Sequence, residues 1–242
     1  MKQLKTENIL QKILFISFLF FLFPLDVLSE VIVYDMIGIR GEEVMLKVET
    51  RGKVFSKGGQ VVEFFVNGNF AGKTLSGGDG LAFKQFKPLS TGTYQITAKS
   101  GGEEGSGLLL SLRKNDRIIF VDAEGSLREG IFSEKIRQGS QETIKKLSRK
   151  FPLIYLQTGI LNTQAVKSWL KQNGFKELSV LPWGQGAIFD EIKDQGLKIK
   201  AVIGSPSVIE SARAFRTKAY SFSEVEGAEE VRDWEEIGRK LK

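Results

Sequence analysis

Two acids two positions apart, Asp122 and Glu124, stand directly after the apolar run Ile118-Ile119-Phe120-Val121 and lead into Gly125-Ser126-Leu127. An apolar run of this length predicts a strand buried on both faces. Such a strand delivers Asp122 to its carboxyl end, the edge at which open α/β sheets bind their ligands. A carboxylate placed there can act as a nucleophile or hold Mg²⁺. An acid at a strand end also has a purely structural use, as the N-cap of the helix that follows or as a turn residue. The residues alone leave both uses open.

Composition narrows the chemistry. The 242 residues contain no Cys and no His. A Ser-His-Asp or Cys-His hydrolase in its usual form is excluded, as is a Cys/His zinc centre. No disulfide can form, so each domain must hold together by its core. What remains is carboxylate, Lys, hydroxyl and Mg²⁺ chemistry. The formal charge is +6, spread along the chain without the compact Lys/Arg cluster of a nucleic-acid binder. It reads as general solubility, with an unspecific attraction to anionic lipid or phosphorylated ligands.

From residue 114 to 242, apolar runs alternate with amphipathic stretches. Strands are predicted at Ile118–Asp122, Leu153–Gln157, Leu178–Leu181, Lys198–Ile203 and Ala219–Phe222. Helices are predicted at Gln141–Lys150, Asn162–Gln172, Ala187–Asp194, Val208–Phe215 and Ala228–Leu241. Alternation of this kind predicts an α/β domain with a doubly wound parallel sheet. Glu224, Glu226, Glu229 and Glu230 form an acidic lead-in that suits the dipole of the last helix.

In this setting Asp122-Ala123-Glu124-Gly125-Ser126 resembles the first motif of the haloacid dehalogenase (HAD) superfamily of phosphohydrolases, Asp-x-Asp-Gly-Thr. The resemblance implies a Rossmann-like fold, Asp122 as the nucleophile toward phosphorus, Glu124 as the acid/base, and Mg²⁺ held at Asp122 and Glu124. Glu124 is one methylene longer than the family's Asp. The run Leu153–Gly159 is similar to the second motif, which makes Thr158, with Gly159 beside it, the phosphoryl-binding position. Tyr155-Leu156-Gln157-Thr158-Gly159, then Val166-Lys167-Ser168-Trp169-Leu170, is closer to the lipin-like phosphatidate phosphatase branch and its relative at the C-terminus of phosphatidylinositol transfer proteins. Ile160 stands where that branch often carries Arg.

The other two HAD motifs are incomplete. Pro182–Ala187 lacks the expected Lys, and Lys193, Lys198 and Lys200 come later. The stretch Gly204–Glu210 has Val208 where the lipin-like branch has an Asp, with Glu210 two residues on. Losing one transition-state donor costs roughly 3–4 kcal/mol, so losing the Lys and the acid together weakens catalysis severely. Two functions follow. One is an exported phosphohydrolase-type domain, acting on a phosphomonoester or phospholipid with weakened or lost catalysis. The other is a non-enzymatic envelope protein whose α/β domain binds a ligand or partner. Each residue also has a plain structural reading: Thr158 can simply end a strand, Trp169 packs in a core, and Trp183 lies near the ligand edge but suits packing.

Between residues 30 and 113 the apolar period is two. Strands are predicted at Val31–Tyr34, Val44–Thr50, Val61–Val66, Phe70–Leu75, Leu81–Phe86, Thr93–Ala98 and Leu108–Leu112. Asn67-Gly68 reads as a hairpin, and Gly77-Gly78-Asp79-Gly80 as a turn, since it precedes a strand. Phe64, Phe65, Phe83 and Phe86 read as core. Seven short strands with such turns predict an all-β sandwich. The segments Phe64–Gly68, Ala71–Thr74 and Gly92–Ile96 resemble bacterial immunoglobulin-like repeats, a spacer or adhesion module through which an envelope partner could dock.

Residues 1–29 have a basic start (Lys2, Lys5, Lys12), an apolar run from Ile13 to Leu25, and Val27 and Ser29 before Glu30. This is the layout of a secretory signal peptide, shorter than the ~20 residues of a membrane-spanning helix. Export to a bacterial periplasm or cell envelope is expected, with an uncleaved N-terminal anchor as the other reading.

Overall fold

The computed structural model describes residues 30–52, 56–130, 133 and 135–242; the signal-like segment 1–29 lies outside them. The first half holds eight strands: β1 (Glu30–Val33), β2 (Met36–Ile39), β3 (Val44–Arg51), β4 (Val61–Val66), β5 (Asn69–Leu75), β6 (Leu81–Phe86), β7 (Gly92–Ser100) and β8 (Glu103–Leu112). They form two sheets, β1-β3-β6 and β2-β8-β7-β4-β5. All pairings are antiparallel except β2 alongside β8. Two such sheets closing over Leu46, Val48, Val62, Phe64, Ile96 and Leu109 make an immunoglobulin-like sandwich.

The period-two pattern decides which aromatic is core. Phe64 on β4 is fully buried, whereas Phe65 faces outward and stacks edge-on against Phe70. Phe83 follows the inward Ala82 on β6 and is 46% exposed, so it is not core. The Asn67-Gly68 turn has positive φ at both residues (49° and 79°), which suits Asn-Gly. The expected strand Val31–Tyr34 is β1, and it is followed by an additional strand, β2, that the expected seven did not include: at Tyr34-Asp35 the chain crosses from the first sheet to the second.

The second half builds one parallel sheet from β9 (Arg117–Asp122), β10 (Leu153–Gln157), β11 (Val180–Pro182), β12 (Lys198–Ile203), β13 (Lys218–Ser221) and β14 (Glu229–Glu230). Their order is β11-β10-β9-β12-β13-β14. This is the doubly wound order in which the winding reverses at the first strand. Among the described residues the α-helices are α1 (Ala123–Ser126), α2 (Ser140–Leu147), α3 (Thr163–Gln172), α4 (Ala187–Asp194), α5 (Pro206–Ala212) and α6 (Trp234–Lys240). Residues of β9 alternate between the faces: Ile119 and Val121 pack with α2, α3 and α6, while Ile118 and Phe120 pack with α4 and α5.

The last segment departs from expectation. Glu229 and Glu230 form the edge strand β14 beside β13, not the lead-in turn of a helix. The final helix begins only at Trp234, where Asp233 accepts a hydrogen bond from the Glu236 N–H at 2.8 Å and acts as its N-cap.

The sandwich and the parallel sheet are joined by shared packing. Ile37 and Ile39 of β2 and Leu112 of β8 belong to the same apolar cluster as Ile118, Phe120, Leu156 and Ile188. At the seam, the buried Asp35 carboxylate accepts from the Leu108 N–H (2.8 Å), the Val180 N–H (2.8 Å) and the Lys167 ammonium (2.5 Å). One side chain thus ties β8, β11 and α3. Burial raises the Asp35 pKa despite the Lys167 charge beside it.

Candidate functional site

Strand β9 ends at Asp122, between β10 and β12, at the crevice where ligands bind in this sheet order. The Asp122 side chain turns back as the N-cap of α1, accepting from the N–H groups of Glu124 (3.2 Å) and Gly125 (2.8 Å). The same oxygen, Oδ1, accepts the Thr158 hydroxyl at 2.6 Å. Oδ2 accepts the Ser205 N–H at 3.1 Å. Asp122 is 0% exposed.

Glu124 reaches the other way, across to the end of β10. Its Oε2 accepts from the Thr158 N–H at 3.0 Å and from the Gly159 N–H at 2.5 Å. Successive N–H groups aimed at one point form an anion-binding nest, and here the anion is a side chain of the chain itself. Gly159 leaves room for the approach: a Cβ there would meet the Glu124 carboxylate and push it off the nest. Gly125 is held the same way, because a Cβ would collide with Asp122 and the Ser205 side chain. Beyond the nest, Ile160 projects into solvent with 93% of its surface exposed.

The four residues singled out by sequence, Asp122, Glu124, Thr158 and Gly159, therefore meet at one edge. Ser205, which sequence reading passed over, joins them through its backbone N–H, and no residue-type pattern encodes a main-chain donor. The stretch Gly204–Glu210 supplies no acid: Val208 is buried and Glu210 is exposed on α5. The amine of Lys200 lies over the Phe151 ring, and Lys193 and Lys198 point into solvent. Among the described residues, no Lys or Arg pairs with Asp122. Trp169 is core, and Trp183 donates its indole N–H to the Ser211 hydroxyl while packing on the α4–α5 side.

The arrangement does not fit Mg²⁺. Both Asp122 oxygens face hydrogen-bond donors, and so does Oε2 of Glu124, where a cation would meet N–H and O–H protons. Among the described residues, no group of three acids is placed to hold a metal. The Asp122 carboxylate is fully buried and carries three donors on Oδ1 and one on Oδ2, so a phosphoryl group would have to displace the Ser205 main chain to reach Oδ2 in line. Locally the geometry does what a cap does: it satisfies the first N–H groups of α1 and ties β9, β10 and β12 at their carboxyl ends.

No family model and no curated protein matches the chain. Among solved structures, the CARDB domain of a Pyrococcus furiosus protein aligns with 36% of this chain and 96% of its own length, at 13% identity and a TM-score of 0.26. The D0-D1 domain of intimin aligns with 33% of this chain and 45% of its own length, at 12% identity and a TM-score of 0.27. The M1 domain of titin aligns with 36% and 95%, at 14% identity and a TM-score of 0.26. Such scores are too low to bear on fold or function, and the immunoglobulin-like assignment of the sandwich rests on its own strand order.

Proposed function

We propose that the chain is a non-enzymatic envelope protein, in which a HAD-like α/β domain has lost phosphoryl transfer and serves, with the sandwich packed on it, as a binding module. The observation that carries this reading is the Asp122–Glu124 pair. The acid that would attack phosphorus is buried under four donors, and the acid that would protonate the leaving group occupies the nest that would receive the phosphoryl oxygens. Phosphoryl transfer relies on positioning and charge neutralisation; among the described residues no lysine pairs with Asp122, and the acid beside it, Glu124, is turned onto the Thr158 and Gly159 N–H groups. The signal-like layout of residues 1–29 and the immunoglobulin-like sandwich favour a location in the cell envelope.

Beryllofluoride is a direct test, because with Mg²⁺ it caps an accessible, reactive aspartate as a phosphoryl mimic. The full-length protein is expected to give no bound fluorine resonance. A Mg²⁺-dependent bound signal that disappears in Asp122→Asn would overturn the reading and restore a working HAD-type nucleophile.

A further inference from the structure

The seam between sandwich and α/β domain holds a cavity of about 330 Å³, bounded by β8 on one side and by α3 and the segment leading into β11 on the other. Its volume is that of a small-ligand pocket, and domain seams are a preferred place for one. The apolar part of the wall comes from Leu108, Leu170, Phe175 and Val180, all buried. The polar part comes from Ser106 on β8, from Lys176 and Glu177, and from α3, where Gln164, Lys167 and Lys171 follow at helical spacing along one side.

The charges on this wall are unequal in status. Lys167 is neutralised by Asp35 at 2.5 Å, which fixes it as part of the wall. Lys171 is exposed and has no carboxylate partner among the described residues. Lys176 also lines the cavity and donates to the Ser148 hydroxyl at 3.0 Å. A second depression begins at Lys176 and adds Lys145 and Arg149. Glu177 is the acid on the cavity wall, and Glu142, paired with Lys146, lines the second depression, so cationic groups outnumber acids along the rim while Leu108, Leu170, Phe175 and Val180 give the wall its apolar part.

We infer that this seam cavity binds a small amphiphilic anion, with an apolar body against Leu108 and Phe175 and an acidic head at Lys171 and Lys176. A purely apolar ligand would leave the lysine rim unused, and a bare inorganic anion would leave the apolar wall unused. This names a ligand site for the binding module proposed above. It does not depend on the strand edge being inert, because dye binding and phosphoester chemistry are read separately.

Anilinonaphthalene sulfonate, an aryl sulfonate that fluoresces in apolar surroundings, has both halves of the inferred chemistry. Titration of the full-length protein should show saturable binding at one site per chain. Lys171→Glu, which reverses the rim charge, and Ser106→Trp, which fills the cavity from β8, should each weaken it by about tenfold or more. Lys47→Glu, on the far side of the seam, should leave it unchanged. Both cavity substitutions fall on exposed residues, and circular dichroism checks that each variant is folded. Saturable binding that survives both substitutions in folded protein, or the absence of saturable binding to wild type, would overturn the inference. Inorganic phosphate binding as tightly as the dye would likewise overturn the amphiphilic assignment.

Discussion

Glu124 Oε2 lies 2.5 Å from the Gly159 nitrogen and 3.0 Å from the Thr158 nitrogen, so a carboxylate from one strand end fills the main-chain nest of the next. The extra methylene of Glu relative to Asp gives the side chain this span. Glu124→Asp should therefore lose both bonds, as should Glu124→Ala. Water can reach the exposed Gly159, so the expected cost is only about 1 kcal/mol, measured as a fall in urea midpoint with unchanged slope.

Asp122 caps α1 in this geometry, and its replacement should cost stability. Asp122→Ala leaves the Glu124, Gly125 and Ser205 N–H groups and the Thr158 hydroxyl without their acceptor. A lost cap together with buried unsatisfied donors should destabilise by about 3 kcal/mol. Asp122→Asn should also destabilise, because its amide must present a donor to either the Ser205 N–H or the cluster at Oδ1. A stability equal to wild type for Asp122→Asn would speak for an open, catalytic-type acid.

Most of the parallel sheet was legible in sequence, because four-residue apolar runs such as Ile118–Val121 have few alternatives to a buried strand. The strand Leu153–Gln157 and the helix Ala187–Asp194 have the predicted bounds. Glu229-Glu230 was not legible: two acids have no strand preference of their own, and they pair only because β13 offers an open edge. The break at Tyr34-Asp35 escaped for a related reason. It is fixed by partners distant in sequence, Leu108, Lys167 and Val180. At the site, Asp122, Glu124, Thr158 and Gly159 were placed together by motif spacing. That Asp122 is buried, and that Glu124 turns toward Gly159, depends on side-chain direction and the Ser205 main chain, which residue type does not carry.

Asp35 should be the most sensitive position at the domain seam. Asp35→Ala strands two buried N–H groups and releases Lys167, at an expected cost of about 3 kcal/mol. Because the carboxylate bonds to both domains, hydrogen exchange in Asp35→Ala should rise at Leu108 and at Val180 together.

Tyr34 gives the seam a response to alkali. Burial, then its 2.6 Å hydrogen bond to Glu49, pushes its pKa up to about 12 from the ordinary 10.0. The folded state therefore holds this proton more tightly than the unfolded chain. The stability it contributes is complete below pH 10 and is lost as pH rises toward 12. Tyr34→Phe should flatten that part of the stability profile, and its ultraviolet titration should lack one late-ionising tyrosine.

The most direct measurement is hydrolysis by the full-length protein, with Mg²⁺, of an aryl phosphate and of phosphatidate in mixed micelles, with Asp122→Asn in parallel. The closed geometry of Asp122 and Glu124 predicts that wild type and variant release phosphate at the same background rate on both substrates. Mg²⁺-dependent turnover by wild type that is abolished in Asp122→Asn would contradict it.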